Sequence, residues 1–349
     1  MRWGVLLLSS VAACGRIGFD EIASVVRLQP DRAPIEEDVP DLPVLVVLDD
    51  DRGRRGTNVR FVDAAGGALP YEIEQTGTPG GDPLIAWVRL SLQRDEAPVF
   101  YAVFGESSEP EPDPTSVWSA DYAAVWHLAD DGAVIRDSTA AHHDGVPLGT
   151  RRVVGTIGSG RDFQATLQEA IVIDDRADLS FQEITYSAWV NERTRLDDFA
   201  TVMARQLGTR GSNDFHLADR MGLVYANAAS PTAQQFQLDG EAMQSNTWIH
   251  LAVAIDDSTL SLYRDGVFET SRLRNSPLVH SPRPIILGAD RNDLQGTTPI
   301  GVPDTDWLDG VLDEARIERR ARSAARIALD VASMRDALIS YSPVSRVGD

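Results

Sequence analysis

The sequence contains no lysine and only one cysteine. All 32 basic residues are arginines, and with 53 acidic residues they leave a formal net charge of −21. Such a field repels nucleic acid and anionic lipid, and no basic patch interrupts it, so nucleic-acid binding is excluded. A lone cysteine cannot form an internal disulfide. Apolar residues still make up 43% of the chain, which is enough for packed cores and excludes a wholly disordered protein.

No hydrophobic run is long enough to span a bilayer, and the N-terminal one is particularly short. Arg2 precedes the apolar run Trp3 to Leu8, and small residues lead to Val11-Ala12-Ala13-Cys14. Residues 1–14 resemble a bacterial lipoprotein signal with its lipobox. The resemblance implies that Cys14 takes a diacylglyceryl group and anchors the protein to a membrane. It also implies a cell-envelope location, and Gly15 after the cysteine favours the outer membrane. The alternative is an ordinary secretory signal cleaved near Ala13, in which Cys14 is incidental.

Residues 15–38 are interpreted as a tether, and from residue 39 the pattern is β throughout. Short apolar or alternating segments with glycine and proline punctuation predict a small antiparallel sandwich over residues 39–105. Glu106 to Thr115 combines acids, serines and three alternating prolines. Proline lacks a ladder donor and biases its predecessor toward extended conformations, so residues 106–117 are predicted to be a semi-stiff linker.

Residues 118–341 show many alternating segments and few helical patterns, which predicts a two-sheet jellyroll. Asp265-Gly266 lies between two of these segments and predicts a tight hairpin, because its glycine accepts a positive φ. Only Ser323 to Ala337 has a helical pattern, with Ser323 as the N-cap. Residues 342–349 are predicted to form a tail. The predicted fold class is therefore all-β, with a short C-terminal helix.

Four ordered motifs support this second domain. They are Thr185 to Val190 (TYSAWV), Thr247 to Val253 (TWIHLAV), Leu262 to Gly266 (LYRDG) and Asp309 to Ile317 (DGVLDEARI). In this order they resemble laminin-G-like and concanavalin-A-like jellyroll domains. The first domain resembles the bacterial domain of unknown function 2341, on Pro43 to Leu48, Val59 to Phe61, Leu69 to Glu74, Ala86 to Val88 and an ending at Tyr101 to Gly105. That second resemblance implies no biochemical activity.

Calcium is the cofactor that the resemblance implies. In concanavalin-A-like domains a structural ion often joins the last strand to an early loop, and the motif places Asp313 among its ligands. Asp137 occupies the early position, although the glycines and asparagine that relatives carry there are replaced. Ca²⁺ takes six to eight oxygen ligands, so loop carbonyls would have to contribute. The alternative is that both carboxylates accept hydrogen bonds from loop amides or an arginine.

Three aromatic or histidine features have competing interpretations. Trp189 and Trp248 lie in alternating strands, which favours core packing over ligand stacking. Trp307 precedes the last strand in a stretch rich in glycine, proline and aspartate, and both core packing and ligand binding stay open for it. His142-His143 favours a solvated loop over a metal site, because adjacent histidines need a preformed cage.

The motifs of catalysis are missing from the sequence. Glycosidases of this fold need two strand-borne carboxylates about 5 to 5.5 Å apart, and the corresponding motif does not occur. No nucleophile elbow, zinc-binding helix or phosphate loop is present either. We therefore expect a non-catalytic protein of the bacterial envelope that binds a glycan or a surface protein. Loops around 213–220 and 292–306 are the expected ligand contacts. The alternatives are a purely structural module of a surface assembly, or a glycosidase-like enzyme.

Overall fold

The computed structural model describes residues 19–49, 52, 58–78, 80–107, 113–207, 213–229, 235–292 and 302–345. The chain divides into two compact units. The first comprises Met1–Ser119 together with Leu329–Asp349, and the second comprises Ala120–Ala328. Cys14 lies outside the described residues. Within the described ranges, no helix is long and apolar enough to cross a membrane.

In the described residues of the first unit, seven antiparallel strands form two sheets. They are β1 (Phe19–Pro30), β2 (Val39–Leu48), β3 (Val59–Asp63), β4 (Tyr71–Gln75), β5 (Leu84–Leu92), β6 (Phe100–Ser107) and, from the C-terminal end, β22 (Ile339–Tyr341). One sheet has the order β22-β1-β6-β3 and the other β2-β5-β4. Apolar residues of both sheets share one core, so this unit is a small sandwich as predicted.

Two segments of the first unit differ from the sequence interpretation. Residues 15–38 were expected to be a tether, but Phe19–Pro30 forms β1 and pairs with β6 and β22. Side chains alternate between the two faces of this strand, and Val26 and Leu28 are buried on one of them. This burial explains why the segment is a strand although strong turn signals do not bound it. The second domain was expected to extend to residue 341, but its last residues belong to the first unit, where Ser333 Oγ accepts a 2.8 Å hydrogen bond from the Leu45 amide.

The second unit has fifteen strands in the ranges that the structure describes. They are β7 (Tyr122–Trp126), β8 (Gly145–Leu148), β9 (Arg151–Val154), β10 (Ser159–Phe163), β11 (Ala170–Ile173), β12 (Ile184–Thr194), β13 (Phe199–Gln206), β14 (Asn213–Arg220), β15 (Leu223–Ala229), β16 (Gln235–Ala242), β17 (Ile249–Ile255), β18 (Thr259–Arg264), β19 (Val267–Leu273), β20 (Ile285–Leu287) and β21 (Asp309–Glu318). One sheet has the order β19-β18-β17-β12-β21-β10-β9, with β7 also paired to β21, and the other has the order β16-β15-β14-β13-β20-β11-β8. The two-sheet arrangement and the all-β class confirm the predicted architecture.

The core of the second unit lies between these two sheets. Phe215 and Leu217 of β14, and Ala226 and Ala228 of β15, turn toward it. Because successive side chains of a strand point to opposite faces, the residues between them lie on the outward face of the seven-stranded sheet. That outward face carries the candidate site described below.

Local signals in the sequence are also confirmed. Asp265 and Gly266 have φ values of 54° and 84° and join β18 to β19, because a tight hairpin needs left-handed residues at both central positions. Helix α1 (Ala324–Met334) begins after Ser323, whose Oγ accepts a 3.0 Å hydrogen bond from the Arg326 amide. The boundary between the two units falls within this helix.

Candidate functional site

Asp137 organises the loop after β7. Its Oδ1 accepts hydrogen bonds from the amides of Val125 and Thr139, both at 2.9 Å, and its Oδ2 accepts from Thr139 Oγ1 and the His143 amide, both at 2.8 Å. An ionised carboxylate has about four lone-pair directions, and these four donors occupy them. Asp137 therefore does not fit a calcium ligand without displacing its own loop.

Asp313 lies in β21 and is fully buried. Its Oδ2 accepts the amides of Thr156 and Ile157, each at 2.8 Å, and so fixes the turn between β9 and β10. A Cβ at Gly155 would lie 2.4 Å from that oxygen, so the turn requires glycine there. Asp137 and Asp313 share no hydrogen-bond partner among these contacts. Both act as acceptors for loop amides, and a calcium ion joining them stays a prediction.

The residue after Asp313 has a structural role that the sequence interpretation missed. Glu314 is fully buried with a φ of 49°, and its two carboxylate oxygens meet His127 Nδ1 at 2.6 Å and Arg316 Nη2 at 2.6 Å. Burial opposes ionisation of Glu314, but His127 and Arg316 outweigh it and lower the pKa of the carboxyl group. The Asp-Glu-x-Arg signature thus encodes a turn anchor and a buried ion cluster. The sequence did contain a signal for this ion cluster, because Glu314 precedes Arg316 by two positions in the same strand, β21.

The aromatic and histidine candidates take structural positions. Trp307 is 8% exposed and packs with small apolar residues, so its ring is not an open stacking platform. Trp189 is buried and Trp248 is half-buried. The solvated loop expected at His142-His143 is wrong for His143, which is buried, with Nδ1 2.9 Å from the Ala123 carbonyl and Nε2 3.0 Å from Asp178 Oδ1. Each ring nitrogen of His143 thus faces an oxygen of the protein.

A polar group of side chains is buried on the outward face of the seven-stranded sheet. We call it the outer-face cluster. His216, Tyr225 and Asn227 belong to it by the alternation of β14 and β15. Asp290, whose charge acts on Tyr225, and its partner Asn213, beyond a register shift in β14, complete it. His216 pairs with Asn227 across the ladder of β14 and β15, and its ring is 5.5 Å from that of Tyr225. Asn213 Nδ2 donates a 2.7 Å hydrogen bond to Asp290 Oδ2, which joins β14 to the loop after β20.

Aromatic rings line one side of the outer-face cluster. Phe199, which is half-buried, stacks on His216 at 5.6 Å and meets the ring of Tyr225 edge-on at 5.3 Å. The Arg220 guanidinium lies 4.6 Å from the Tyr225 ring centroid. Burial alone lowers the pKa of His216 to about 3, so its ring is neutral at physiological pH. Thr201 Oγ1 hydrogen bonds to His216 Nε2 at 3.0 Å.

Two amide oxygens of the outer-face cluster lack hydrogen-bond partners in the described part of the chain. They are Asn213 Oδ1 and Asn227 Oδ1, and the two residues are 4% and 3% exposed. A buried acceptor without a donor costs about 1 to 3 kcal/mol. Native proteins keep few such groups, and each one is a candidate position for a ligand or an ion.

An acidic loop, residues 304–306, adjoins the outer-face cluster. The Asp290 amide donates to the Thr305 carbonyl at 3.0 Å, and the Asp304 amide donates to the Asp290 carbonyl at 3.1 Å. Asp306 has a φ of 56°, a left-handed conformation that is uncommon outside glycine, asparagine and aspartate. The first segment expected to contact ligand, 213–220, and the described end of the second, 302–306, therefore meet through Asp290, whereas residues 293–301 of the second segment lie outside the described residues. The first of them is strand β14 and not a loop.

A second carboxyl pair lies between the two sheets. Glu192 of β12 hydrogen bonds to Asp219 of β14, and both side chains are buried. Burial, then this hydrogen bond and the charge of Asp219, raise the pKa of Glu192 to about 8. Two carboxyl groups in direct contact leave no room for a sugar between them, whereas retaining glycosidases separate theirs by about 5 to 5.5 Å. The pair is consequently not arranged for that reaction.

Comparison with known proteins identifies the domain type. A family model described as the concanavalin A-like lectin/glucanases superfamily matches residues 164–328. This match confirms the predicted concanavalin-A-like jellyroll in the second unit. No curated protein matches the chain. The resemblance of the first unit to domain of unknown function 2341 stays a prediction.

Three solved structures illustrate the likeness of the fold. The binding domain of Paraclostridial Mosquitocidal Protein 1 has a TM-score of 0.49 and 14% identity, over 61% of this chain and 52% of that one, so the chain spans about half of it. Domain 4 of the arabinanase AbnA from Geobacillus stearothermophilus, in complex with arabinotriose, has a TM-score of 0.46 and 17% identity, over 60% and 98%. The botulinum neurotoxin serotype D ligand binding domain, in complex with N-acetylneuraminic acid, has a TM-score of 0.45 and 10% identity, over 60% and 50%. Similarities at this level carry no functional information.

Proposed function

We propose that the second unit is a non-catalytic binding module for a glycan, with the ligand held at the outer-face cluster. The observation that carries the proposal is the pair of buried, unpartnered amide oxygens of Asn213 and Asn227. A ligand rich in hydroxyl groups supplies the donors that these oxygens lack. Binding would then recover free energy that the free protein loses by keeping them buried.

The surroundings of the amide oxygens support a saccharide. Small-molecule sites combine aromatic side chains with a few fixed polar groups. Here the rings of Phe199 and Tyr225 supply apolar surface, while Asn213, Asn227 and Asp290 supply acceptors. A flat protein interface would instead place an apolar centre inside a polar rim.

A glycan array with the full chain, solubilised in detergent, tests the proposal. We expect binding to a defined set of saccharides. Asn227→Ala should weaken it at least tenfold, which is the effect of losing about 1.4 kcal/mol of ligand hydrogen bonding. Melting temperature checks that the variant is folded. Gln93→Ala, an exposed position in the first unit, is the matched control and should bind as the wild type does.

The results of the array separate the competing functions. Silence across the array would overturn glycan binding and favour a protein ligand or a structural module of a surface assembly. Hydrolysis of a bound saccharide would show that the domain is an enzyme. Wild-type affinity in Asn227→Ala would place the ligand elsewhere.

We also propose that the protein is anchored to the bacterial envelope through Cys14. The support is the sequence Val11-Ala12-Ala13-Cys14 and the fact that no other cysteine occurs. Two or three acyl chains hold a protein stably on a membrane, because each buried methylene contributes about 0.8 kcal/mol. In the native bacterium, Cys14→Ser should abolish incorporation of labelled fatty acid and release the protein from the membrane fraction. Equal labelling of the variant would overturn the anchor, and separation of inner from outer membranes tests the outer-membrane location.

A further inference from the structure

Negative charge is concentrated beside the outer-face cluster. Asp290 and Asp306 are 2% and 8% exposed, and the acidic loop brings Asp304 and Asp306 to Asp290 through the backbone hydrogen bonds at Thr305. Asp197 and Asp198 also act on Asp306 by charge repulsion. This concentration of carboxylates is independent of the unpartnered amide oxygens on which the proposed function rests.

The carboxylates are costly to ionise. Burial first, and then the charge of Asp304, raise the pKa of Asp290 to about 6, even though Asn213 and the Arg291 amide donate hydrogen bonds to it. Burial first, and then Asp290, raise the pKa of Asp306 to about 7. A positive charge placed among them would relieve the mutual repulsion of these groups.

The hydrogen bonds to the Asp290 carboxylate come from uncharged donors. The Arg291 backbone amide donates to Oδ1 at 2.7 Å, and Asn213 Nδ2 donates to Oδ2 at 2.7 Å. His216 is neutral, and Tyr225 has a pKa raised to about 12, so neither brings a charge at pH 7. Asn213 Oδ1 is an acceptor next to Asp290, because the same side chain bonds to Asp290 through Nδ2.

The type of cation follows from the spacing of the acids. Among the described residues, Asp290, Asp304 and Asp306 do not bring three carboxylate oxygens within 4.8 Å of one another. Ca²⁺ requires six to eight oxygens closely grouped around it. An ammonium group is less demanding, because its three N–H donors can reach separate acceptors.

We infer that the saccharide bound at the outer-face cluster carries a free amine, as an unacetylated hexosamine does, and that its ammonium group binds beside Asp290 and Asn213 Oδ1. This inference rests on the proposed function and specifies its ligand class. N-acetylation would remove the charge and add bulk, and a uronic acid or other anionic sugar would meet the same carboxylates with repulsion.

Isothermal titration calorimetry at pH 7.5 tests the inference with three trisaccharides, which are the trimers of glucosamine, of N-acetylglucosamine and of galacturonic acid. We expect the glucosamine trimer to bind at least tenfold more tightly than the acetylated trimer, and no binding of the acidic one. Asp290→Asn and Asn213→Ala should each weaken glucosamine binding at least tenfold. Asp257→Asn, an exposed acid on the same unit, is the matched control and should bind normally.

The pH dependence supplies a second readout. Two titrations act on the affinity for the glucosamine trimer, because the sugar amine loses its charge as the pH rises and the acids lose theirs as the pH falls. The affinity should therefore be highest at an intermediate pH and fall toward pH 5, as Asp306 and Asp290 take up protons. Asp290→Asn should show a shallower fall. Melting temperatures establish that both variants are folded, so a loss of binding cannot come from unfolding.

Failure of the inference can be told apart from failure of the proposed function. Tighter binding of the acetylated or acidic trimer would overturn the amine and leave glycan binding intact. If CaCl2 raised the melting temperature in the wild type but not in Asp290→Asn, the cation would be a metal ion and the inference would be wrong. If no saccharide bound at all, both proposals would fall.

Discussion

The buried pair Glu192–Asp219 makes the stability of the protein depend on pH in a way that one substitution can isolate. The pKa of Glu192 is about 8 in the folded protein, against 4.5 for a free glutamate. The folded state therefore holds a proton that the unfolded state has lost between these two values. Stability from this group is fully present below pH 4.5 and is lost as the pH rises to about 8.

The magnitude follows from the size of the shift. Each pKa unit corresponds to about 1.36 kcal/mol, so between pH 5.5 and pH 9 this one proton should cost the wild type about 3 kcal/mol of unfolding free energy. Burial raises the pKa of Asp290 and Asp306 as well. Their ionisation therefore lowers the unfolding free energy further in the lower part of this pH range. A comparison of variants is needed to separate the contributions.

Glu192→Gln is the decisive variant. The glutamine amide can donate to Asp219 as the protonated carboxyl does, but it cannot lose a proton. We expect the variant to gain about 3 kcal/mol over the wild type between pH 5.5 and pH 9, measured as the change in their difference in unfolding free energy by urea titration. Glu241→Gln, at an exposed site, should follow the wild type. A difference between Glu192→Gln and wild type that stays constant with pH would refute the reasoning.

Three further predictions concern the second unit. Glu314→Gln should lower the unfolding free energy by about 3 to 5 kcal/mol, because it removes a buried negative charge that contacts both His127 and Arg316. Gly288→Ala should destabilise by several kcal/mol in thermal melts, since its Cβ would lie 2.2 Å from an aromatic carbon at a φ of +79°, whereas Gly222→Ala, at φ +91° with no atom within 4 Å, should cost only about 1 kcal/mol. Asp137→Ala should lower the melting temperature equally in CaCl2 and in EDTA, and a loss seen only with calcium would instead support a metal at this carboxylate.

The sequence anticipated most of the second unit because its signals are local. Alternating strands, the Asp265-Gly266 turn and the Ser323 cap depend on near neighbours, and the structure has all three. The interpretation of residues 15–38 as a tether was wrong because local signals do not reveal long-range pairing. Whether Phe19–Pro30 is a strand depends on pairing with β6 and β22, which lie far along the chain.

The candidate site shows where the sequence alone stops. Its acidic and amide residues were visible, and two of the segments that carry them were named as ligand contacts. Their roles were not visible, because a carboxylate can satisfy loop amides, as Asp137 and Asp313 do, or lie beside other carboxylates, as Asp290 does. The sequence by itself determined an all-β chain with a jellyroll in its second part, since hydrophobic periodicity is written in adjacent residues. Only the tertiary structure decided which polar groups are buried together and which lack a partner, because burial and charge depend on residues that folding brings from distant strands.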